Sequence, residues 1–295
     1  MQFIGGLLCL MCVMKIFDGK KESEKILNKL RLKIKKEKLS PHLAVFLIGD
    51  DKASKVYVNL KKQAAERIGV KFSLYKYKKS SDQDEIIKKI KKLNKDNEVS
   101  GIIVQLPLPE GFDTKKIISS INPRKDADGF CRENLEAFKN KKKINIKPVL
   151  PQVILYILKL AQKKDCKNKK IKVLVNSRFF GEVLKSFFSA NAFELDFLLV
   201  KNISSKKLKN FTADADVLIS VLGKKEFIKG DILKNGVILI DAGISKKDNK
   251  IFGDFEFESC IKKAKFITPV PGGVGPMTIA FLFKNIILIK SKNID

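Results

Sequence analysis

The chain reads as an α/β protein of two units, and three observations predict this. The apolar run 42–48 (HLAVFLI) is continuous rather than alternating, as in a strand buried on both faces of a parallel sheet. Segments with helical apolar spacing alternate with strand-like ones. The alternation runs on both sides of a polar, Lys-rich stretch at 139–147, which reads as a link between units.

The elements follow in order. Residues 3–14 are apolar but too short to span a bilayer. With no basic residues before them and no clean cleavage site after, 1–13 reads as an extension before a folded start at Met14. A charged segment punctuated by Leu and Ile, 20–38, gives a first helix, and 42–48 a buried strand. Gly49-Asp50-Asp51 turns the chain into a helix over 54–69, with Ser54 as N-cap and Gly69 as a left-handed stop. Along it Val56, Leu60, Ala64 and Ile68 mark a buried side, and Tyr57 and Lys61, four apart, sit next to that side. A strand at 71–76, a helix at 83–94 and a strand at 99–106 come next. That strand runs into Gln105-Leu106-Pro107-Leu108-Pro109, which cannot continue pairing. A helix at 114–121 closes the first unit.

Beyond the link, 148–160 is a long apolar helix crossing into the second unit. Strands are expected at 171–175, 195–200, 217–221 and 237–241, with a helix at 181–190. Phe266 and Ile267 lead into Thr268-Pro-Val-Pro-Gly-Gly-Val-Gly-Pro-Met-Thr278, and a last helix, 278–290, returns to the first unit. The boundaries drawn are 14–147 with 275–295 for the first unit and 148–274 for the second. Ligands of such sheets bind at the carboxyl ends of the strands. Gln105 at one strand end and Lys61 just after another are therefore expected to be neighbours.

Composition narrows the function. The net charge is +28, which suggests polyanionic partners. Yet Arg occurs only at 31, 67, 124, 132 and 178, and base readout and bidentate phosphate binding lean on Arg. The lysines are spread along the chain, with clusters at 141–143 and 163–172, and read as solvated surface. Nucleic acid is disfavoured, although a small polyanion suits such a surface. Cys9 and Cys12 form a C-x-x-C without a second pair, and His42 is the one histidine, so no metal site is expected. Cys131, Cys166 and Cys260 complete the set and are expected to stay reduced in the cytosol.

A lysine held beside an apolar face is partly desolvated, which disfavours its charge and suits acid/base work near neutral pH. The same spacing also allows Lys61 to lie along the helix with its ammonium in water. Likewise Gln105 serves equally as the cap of a strand end, Asp128 with Asp126 as turn chemistry before Gly129, and Gly272-Gly273 as a tight turn.

Three stretches taken together decide between these readings. They are Ser54-x-x-Tyr57-Val58-x-x-Lys61; Val104-Gln105-Leu106-Pro107-Leu108-Pro109 with Lys125-Asp126-Ala127-Asp128-Gly129-Phe130; and Pro269-Val270-Pro271-Gly272-Gly273-Val274-Gly275-Pro276-Met277-Thr278. In this order they resemble the bifunctional methylenetetrahydrofolate dehydrogenase/methenyltetrahydrofolate cyclohydrolase family, from about Met14 to the C-terminus. The resemblance implies a catalytic folate-binding first unit and a Rossmann-like second unit. It makes Lys61 the catalytic lysine and Gln105 the partner that holds it. Asp128 becomes the carboxylate on the pterin, and Tyr57 the ring against the p-aminobenzoyl group. Pro271, Gly272 and Gly273 form the wall of the folate cleft, with Ser54 and Pro107 beside it. It also implies tetrahydrofolate substrates, NADP as cofactor, and a homodimer paired through the nucleotide unit.

The dinucleotide side departs from the family pattern. Where the family has Gly-Arg-Ser before Val-Gly, this chain has Val175-Asn176-Ser177 before Phe180-Gly181. Cys-Thr-Pro reads Val149-Leu150-Pro151, a His-Ser pair aligns with Asn202-Ile203, and a frequent His is Cys131. Ser177, Gly223, Gly243 and Ile244 remain as cofactor-site candidates. The expectation is retained cyclohydrolase activity with a weakened or altered dehydrogenase. The alternatives are a cyclohydrolase alone, or a non-catalytic binder of folate or polyanions.

Overall fold

The computed structural model describes residues 15–140, 146–162, 169–248 and 250–292. The extension at 1–13, Met14, Cys9, Cys12, Cys166 and the lysines at 141–143 lie outside the described residues.

The first element among the described residues is β1 (Lys15–Ile16), and Asp18 caps α1 (Gly19–Lys36) by accepting from the Lys21 amide. The first sheet is parallel, with β2 (His42–Ile48) between β3 (Lys71–Tyr77) and β4 (Gly101–Val104). All seven residues of β2 are buried because both faces are covered. Leu43, Val45 and Leu47 pack towards α1 and α2 (Lys52–Ile68); Ala44, Phe46 and Ile48 pack towards α3 (Gln83–Asn94) and α4 (Thr114–Ser119). The third strand is shorter than the apolar run 99–106. The Gln105 amide still donates to the Phe46 carbonyl, but the next peptide, Leu106–Pro107, is cis and Pro107 has no N–H to offer.

A short helix α5 (Arg132–Lys139) leads to the crossing helix α6 (Val149–Gln162). The second sheet is parallel throughout, in the order β1-β11-β8-β7-β5-β6. Its strands are β5 (Ile171–Val175), β6 (Leu195–Leu199), β7 (Val217–Val221), β8 (Val237–Asp241) and β11 (Ala264–Ile267). Helices α7 (Arg178–Ser189), α8 (Ser205–Thr212) and α9 (Phe257–Cys260) cover it, and a hairpin of β9 (Ser245–Lys247) and β10 (Lys250–Phe252) stands off it. Chain order reverses between β5 and β7, which places a crevice at their carboxyl ends.

Several features escaped the sequence reading, among them α9 and β11. Lys15–Ile16, drawn with the first unit, pair with β11 at the edge of the second sheet. The β9–β10 hairpin and helices α5 and α8 were not anticipated. The last helix, α10, spans Val274–Lys292, a turn earlier than 278; Pro276 fits because amides of a first helical turn need no partner within the helix. Residues Val274–Ser291 have the length and hydropathy of a membrane span, but 61% of that window is buried inside the fold. It packs on α1 and α6, so it is a core helix that ties the two units.

Candidate active site

The N-cap of α2 lies three residues before the expected Ser54. Asp51 is the N-cap, its carboxylate accepting from the Ser54 amide at 2.7 Å, and Gly69 closes the helix at φ 83° as expected. The buried face also differs from the one expected. Val56 and Leu60, read as core, are 56% and 43% exposed. The buried positions include Ser54, Val58, Ala65 and Ile68. Lys61 falls at the gap in that row, where a coiled packing pattern would put a core residue. It therefore points its amine inward, and burial holds its pKa below that of an ordinary lysine, with the Asp128 carboxylate opposing the shift.

The amine donates to Gln105 Oε1 at 2.9 Å, while Gln105 Nε2 donates to the Leu106 carbonyl at 2.9 Å. The second bond fixes which end of the amide faces the lysine. Burial raises the Asp128 pKa, and the nearby Lys61 works against this. The turn chemistry belongs to Asp126, whose carboxylate accepts from the amides of Gly129 (3.1 Å) and Cys131 (2.6 Å) and from the Asn134 side chain (3.3 Å). Burial pushes Asp126 up to about 6. Asp126 builds the loop, and Asp128 faces the site.

A cleft of about 920 Å³ runs between the units. Tyr57, Asp128, Pro271, Gly272, Gly273 and Ile244 all line it. So do Val56 and Leu60 from the exposed face of α2, together with Phe130 and, from the hairpin, Ile251. This explains the exposed apolar residues on α2: they are the wall of a binding site. Sequence reasoning missed Gly19, which packs so closely on the Gly272 and Gly273 carbonyls that a Cβ would overlap them. Lys61 and Gln105 line a smaller space next to the cleft, and Leu106, Asp128 and Phe130 border both. Ser54 is buried within α2 and Pro107 is exposed; neither lines the cleft.

The second unit's candidates stand at strand ends. Ser177 is the N-cap of α7, its hydroxyl accepting from the Phe180 amide at 3.4 Å. Gly223 follows β7 with φ +68°, and Gly243 follows β8. Of the four, Ile244 alone lines the cleft, 45% exposed. Two buried carboxylates shape these loops. Asp254 accepts from the Ser220 hydroxyl (2.6 Å) and from the amides of Leu222 (2.8 Å) and Lys224 (2.7 Å), which flank Gly223. Asp241 accepts from the amides of Gly243 and Phe255, both at 3.0 Å. Asn176 donates to the Leu222 carbonyl at 3.2 Å and so ties the two loops at the strand-order reversal. Among the described residues, no cluster of His, Cys, Asp and Glu is suited to a metal.

A deep cleft between a parallel α/β unit and a doubly wound unit, with a desolvated lysine at its inner end, defines a two-domain enzyme that works on a small ligand next to a dinucleotide-type fold. Residues 17–128 match the tetrahydrofolate dehydrogenase/cyclohydrolase catalytic domain, and 148–294 match the NAD(P)-binding domain of the same family. The chain is 36% identical over 293 residues to the bifunctional protein FolD of Flavobacterium psychrophilum, covering 95% of this chain and 98% of that one. With the FolD of Acetivibrio thermocellus it shares 39% over 277 residues, covering 92% and 95%. The crystal structure of the bifunctional FolD from Campylobacter jejuni superposes with a TM-score of 0.87 at 34% identity, covering 96% of this chain and all of that one. That of Trypanosoma brucei, complexed with NADP cofactor and inhibitor, gives 0.86 at 25% identity, covering 95% and 98%. The chain belongs to the tetrahydrofolate dehydrogenase/cyclohydrolase family.

Proposed function

We propose that this chain interconverts one-carbon tetrahydrofolates: it oxidises methylenetetrahydrofolate to methenyltetrahydrofolate with NADP and hydrolyses the methenyl form to formyltetrahydrofolate. The observation that carries the reading is the buried Lys61 amine, held by an oriented Gln105 beside Asp128 where the cleft narrows. The folate's aromatic middle lies on Tyr57, against Pro271-Gly272-Gly273, with Asp128 on the pterin. Lys20 and Arg67 also line this cleft, where a glutamate tail has cations to meet.

The methenyl carbon carries a delocalised positive charge. A charged ammonium beside it is repelled, and burial keeps the lysine ready to be neutral. Water adds its lone pair to that carbon, forming the C–O bond, and one water proton passes to the Lys61 amine. The carbinol then gives up its hydroxyl proton to solvent as C=O forms. The C–N pair returns to nitrogen, which takes the proton held on Lys61. The sum is one water consumed and one proton released, with the lysine restored. Gln105 aims the amine without adding charge.

The second unit fits a dinucleotide. It offers the α7 N-terminus with its free amides, Ser177 and Arg178 beside it, Gly223 at positive φ, and Ile244 facing the cleft. When bound, the nicotinamide accepts a hydride; the chain's part is to hold it against the folate. A cyclohydrolase alone, or a non-catalytic binder, is the less supported reading, since relatives named bifunctional match along almost the whole chain. Pairing as a homodimer through the nucleotide unit and a cytosolic location belong to the same proposal.

Decay of methenyltetrahydrofolate absorbance tests the hydrolysis, and NADP reduction with methylenetetrahydrofolate tests the oxidation. Purified chain that binds folate but turns over neither substrate overturns the reading.

A further inference from the structure

Asn285 lies on α10, is 2% exposed, and lines neither the cleft nor the smaller space beside it. Both polar atoms of its side chain are in use. Its Nδ2 donates to the carbonyls of Ala127 and Lys147, both at 2.9 Å, and its Oδ1 accepts from Gln152 Nε2 at 3.1 Å. Gln152 Nε2 also donates to the Lys147 carbonyl at 2.9 Å. One side chain of the last helix thus holds together the loop before Asp128, the segment ahead of α6 and the first turn of α6.

Asp128 is gripped on both sides. The carbonyl before it, on Ala127, is held by Asn285, and its own carbonyl accepts from the Val149 amide at 3.0 Å. Gly129, at φ +71°, sits so near Pro148 that a Cβ would stand 2.8 Å from its Cα. Asp126 also fixes this loop, but its partners Gly129, Cys131 and Asn134 belong to the same stretch of chain. Asn285 ties the loop to other elements. Neither carbonyl can leave it cheaply, because a buried acceptor without a donor is destabilising.

We infer that Asn285 is a positioning residue for the one-carbon chemistry: through the Ala127 carbonyl it sets where Asp128 stands, and through Lys147 and Gln152 it refers that position to the crossing helix. The inference rests on the folate reading above. Helix α6 packs on β8 and α7 of the second unit, so the carboxylate on the pterin takes its place from the element that carries the dinucleotide unit. A small misplacement of such a group is costly to binding and rate.

The test measures tetrahydrofolate affinity by calorimetry, and both activities, in wild type, Asn285→Leu, Asp128→Asn and the double variant. Leucine nearly keeps the volume and removes the three bonds. Expected for Asn285→Leu is a folate Kd and KM raised about fivefold or more, with the dinucleotide KM within about twofold of wild type. On the Asp128→Asn background the same change should raise the Kd by less than about twofold, because the group being positioned is already altered. A residue that only holds the fold together lowers Tm and the active fraction and leaves the folate Kd and KM in place; that result overturns the proposal. Losses from Asn285→Leu and Asp128→Asn that simply multiply overturn it too. Should Asn285→Leu not fold, Gln152→Leu replaces it in the same cycle, removing the bond that aims the Asn285 amide, with an expected rise in Kd of about twofold to threefold that again requires Asp128. Wild type that binds no tetrahydrofolate refutes the functional reading itself, not the role of Asn285.

Discussion

Lys61 and Gln105, 44 positions apart in sequence, meet through an Nζ to Oε1 hydrogen bond of 2.9 Å, and the far end of the amide is anchored on the Leu106 carbonyl. The pair tunes the lysine without neutralising it. Lys61→Met keeps the packing and removes the base. It should lower methenyltetrahydrofolate hydrolysis by about 10²–10⁴-fold, the usual share of a positioned general base, with folate binding retained by calorimetry.

Gln105→Glu makes a sharper comparison. The glutamate places a negative charge on the amine and favours its ammonium form. The active amine is the neutral one, so hydrolysis rises with pH through the lysine's pKa. That pKa lies below the ordinary lysine value because of burial. The rising limb of the rate–pH profile should therefore move to higher pH in Gln105→Glu. A limb that stays in place means the lysine is not the titrating base.

The position of Lys61 was legible in the sequence, but not for the reason first given. The apolar repeat Val56, Leu60, Ala64 and Ile68 points to one side of α2, and three of the four line the cleft. Periodicity reports an apolar face and does not tell a core from a binding site. The row Ser54, Val58, Lys61, Ala65, Ile68 was equally present and marks the lysine as inward. Most of both sheets was readable because inner strands such as β2, β7 and β8 are nearly continuous apolar runs, while β11 went unread. β1 was not, since two exposed residues carry no pattern and gain their place only by pairing with β11. The roles of Asp241 and Asp254 were out of reach as well, because they depend on loops that meet only in the folded chain.

Asp241 gives the second unit a pH dependence. Burial and the neighbouring Asp254 push its pKa up to about 7, against an ordinary value of 3.8. The folded state then holds this proton more tightly than the unfolded state. Its contribution to stability is complete below the unfolded value and is lost as pH rises towards about 7. Thermal unfolding should show Tm falling over that window, and Asp241→Asn should flatten the slope. An unchanged slope means that Asp241 does not carry it.

Asn176 stands where the family pattern has arginine, and its amide ties to the Leu222 carbonyl. Without that cation the extra phosphate of NADP loses a bidentate partner. The wild type should separate NADP from NAD poorly. Asn176→Arg should favour NADP by about tenfold or more, in line with the 1.5–3 kcal/mol of a charged hydrogen bond. Fluorescence titration of both dinucleotides measures this. A wild type already strongly selective for NADP means that Arg178 or a lysine reads the phosphate.

Gly243 packs against Asp254 so closely that a Cβ on it would lie 2.0 Å from the Asp254 carboxylate. That carboxylate cannot step aside without releasing the Ser220 hydroxyl and the Leu222 and Lys224 amides. Gly243→Ala must therefore move either the Ile244 segment or the loop around Gly223. Overpacking of this kind costs about 1–3 kcal/mol. The folate cleft's other wall, carried by α2 and the Pro271–Gly273 backbone, is not displaced directly. The expected result is a marked rise in the dinucleotide KM and a lower Tm, with methenyltetrahydrofolate hydrolysis measured without dinucleotide close to wild type. If hydrolysis falls in step with oxidation, the two halves of the site are mechanically one, and Asp254 supports the folate cleft as much as the dinucleotide crevice.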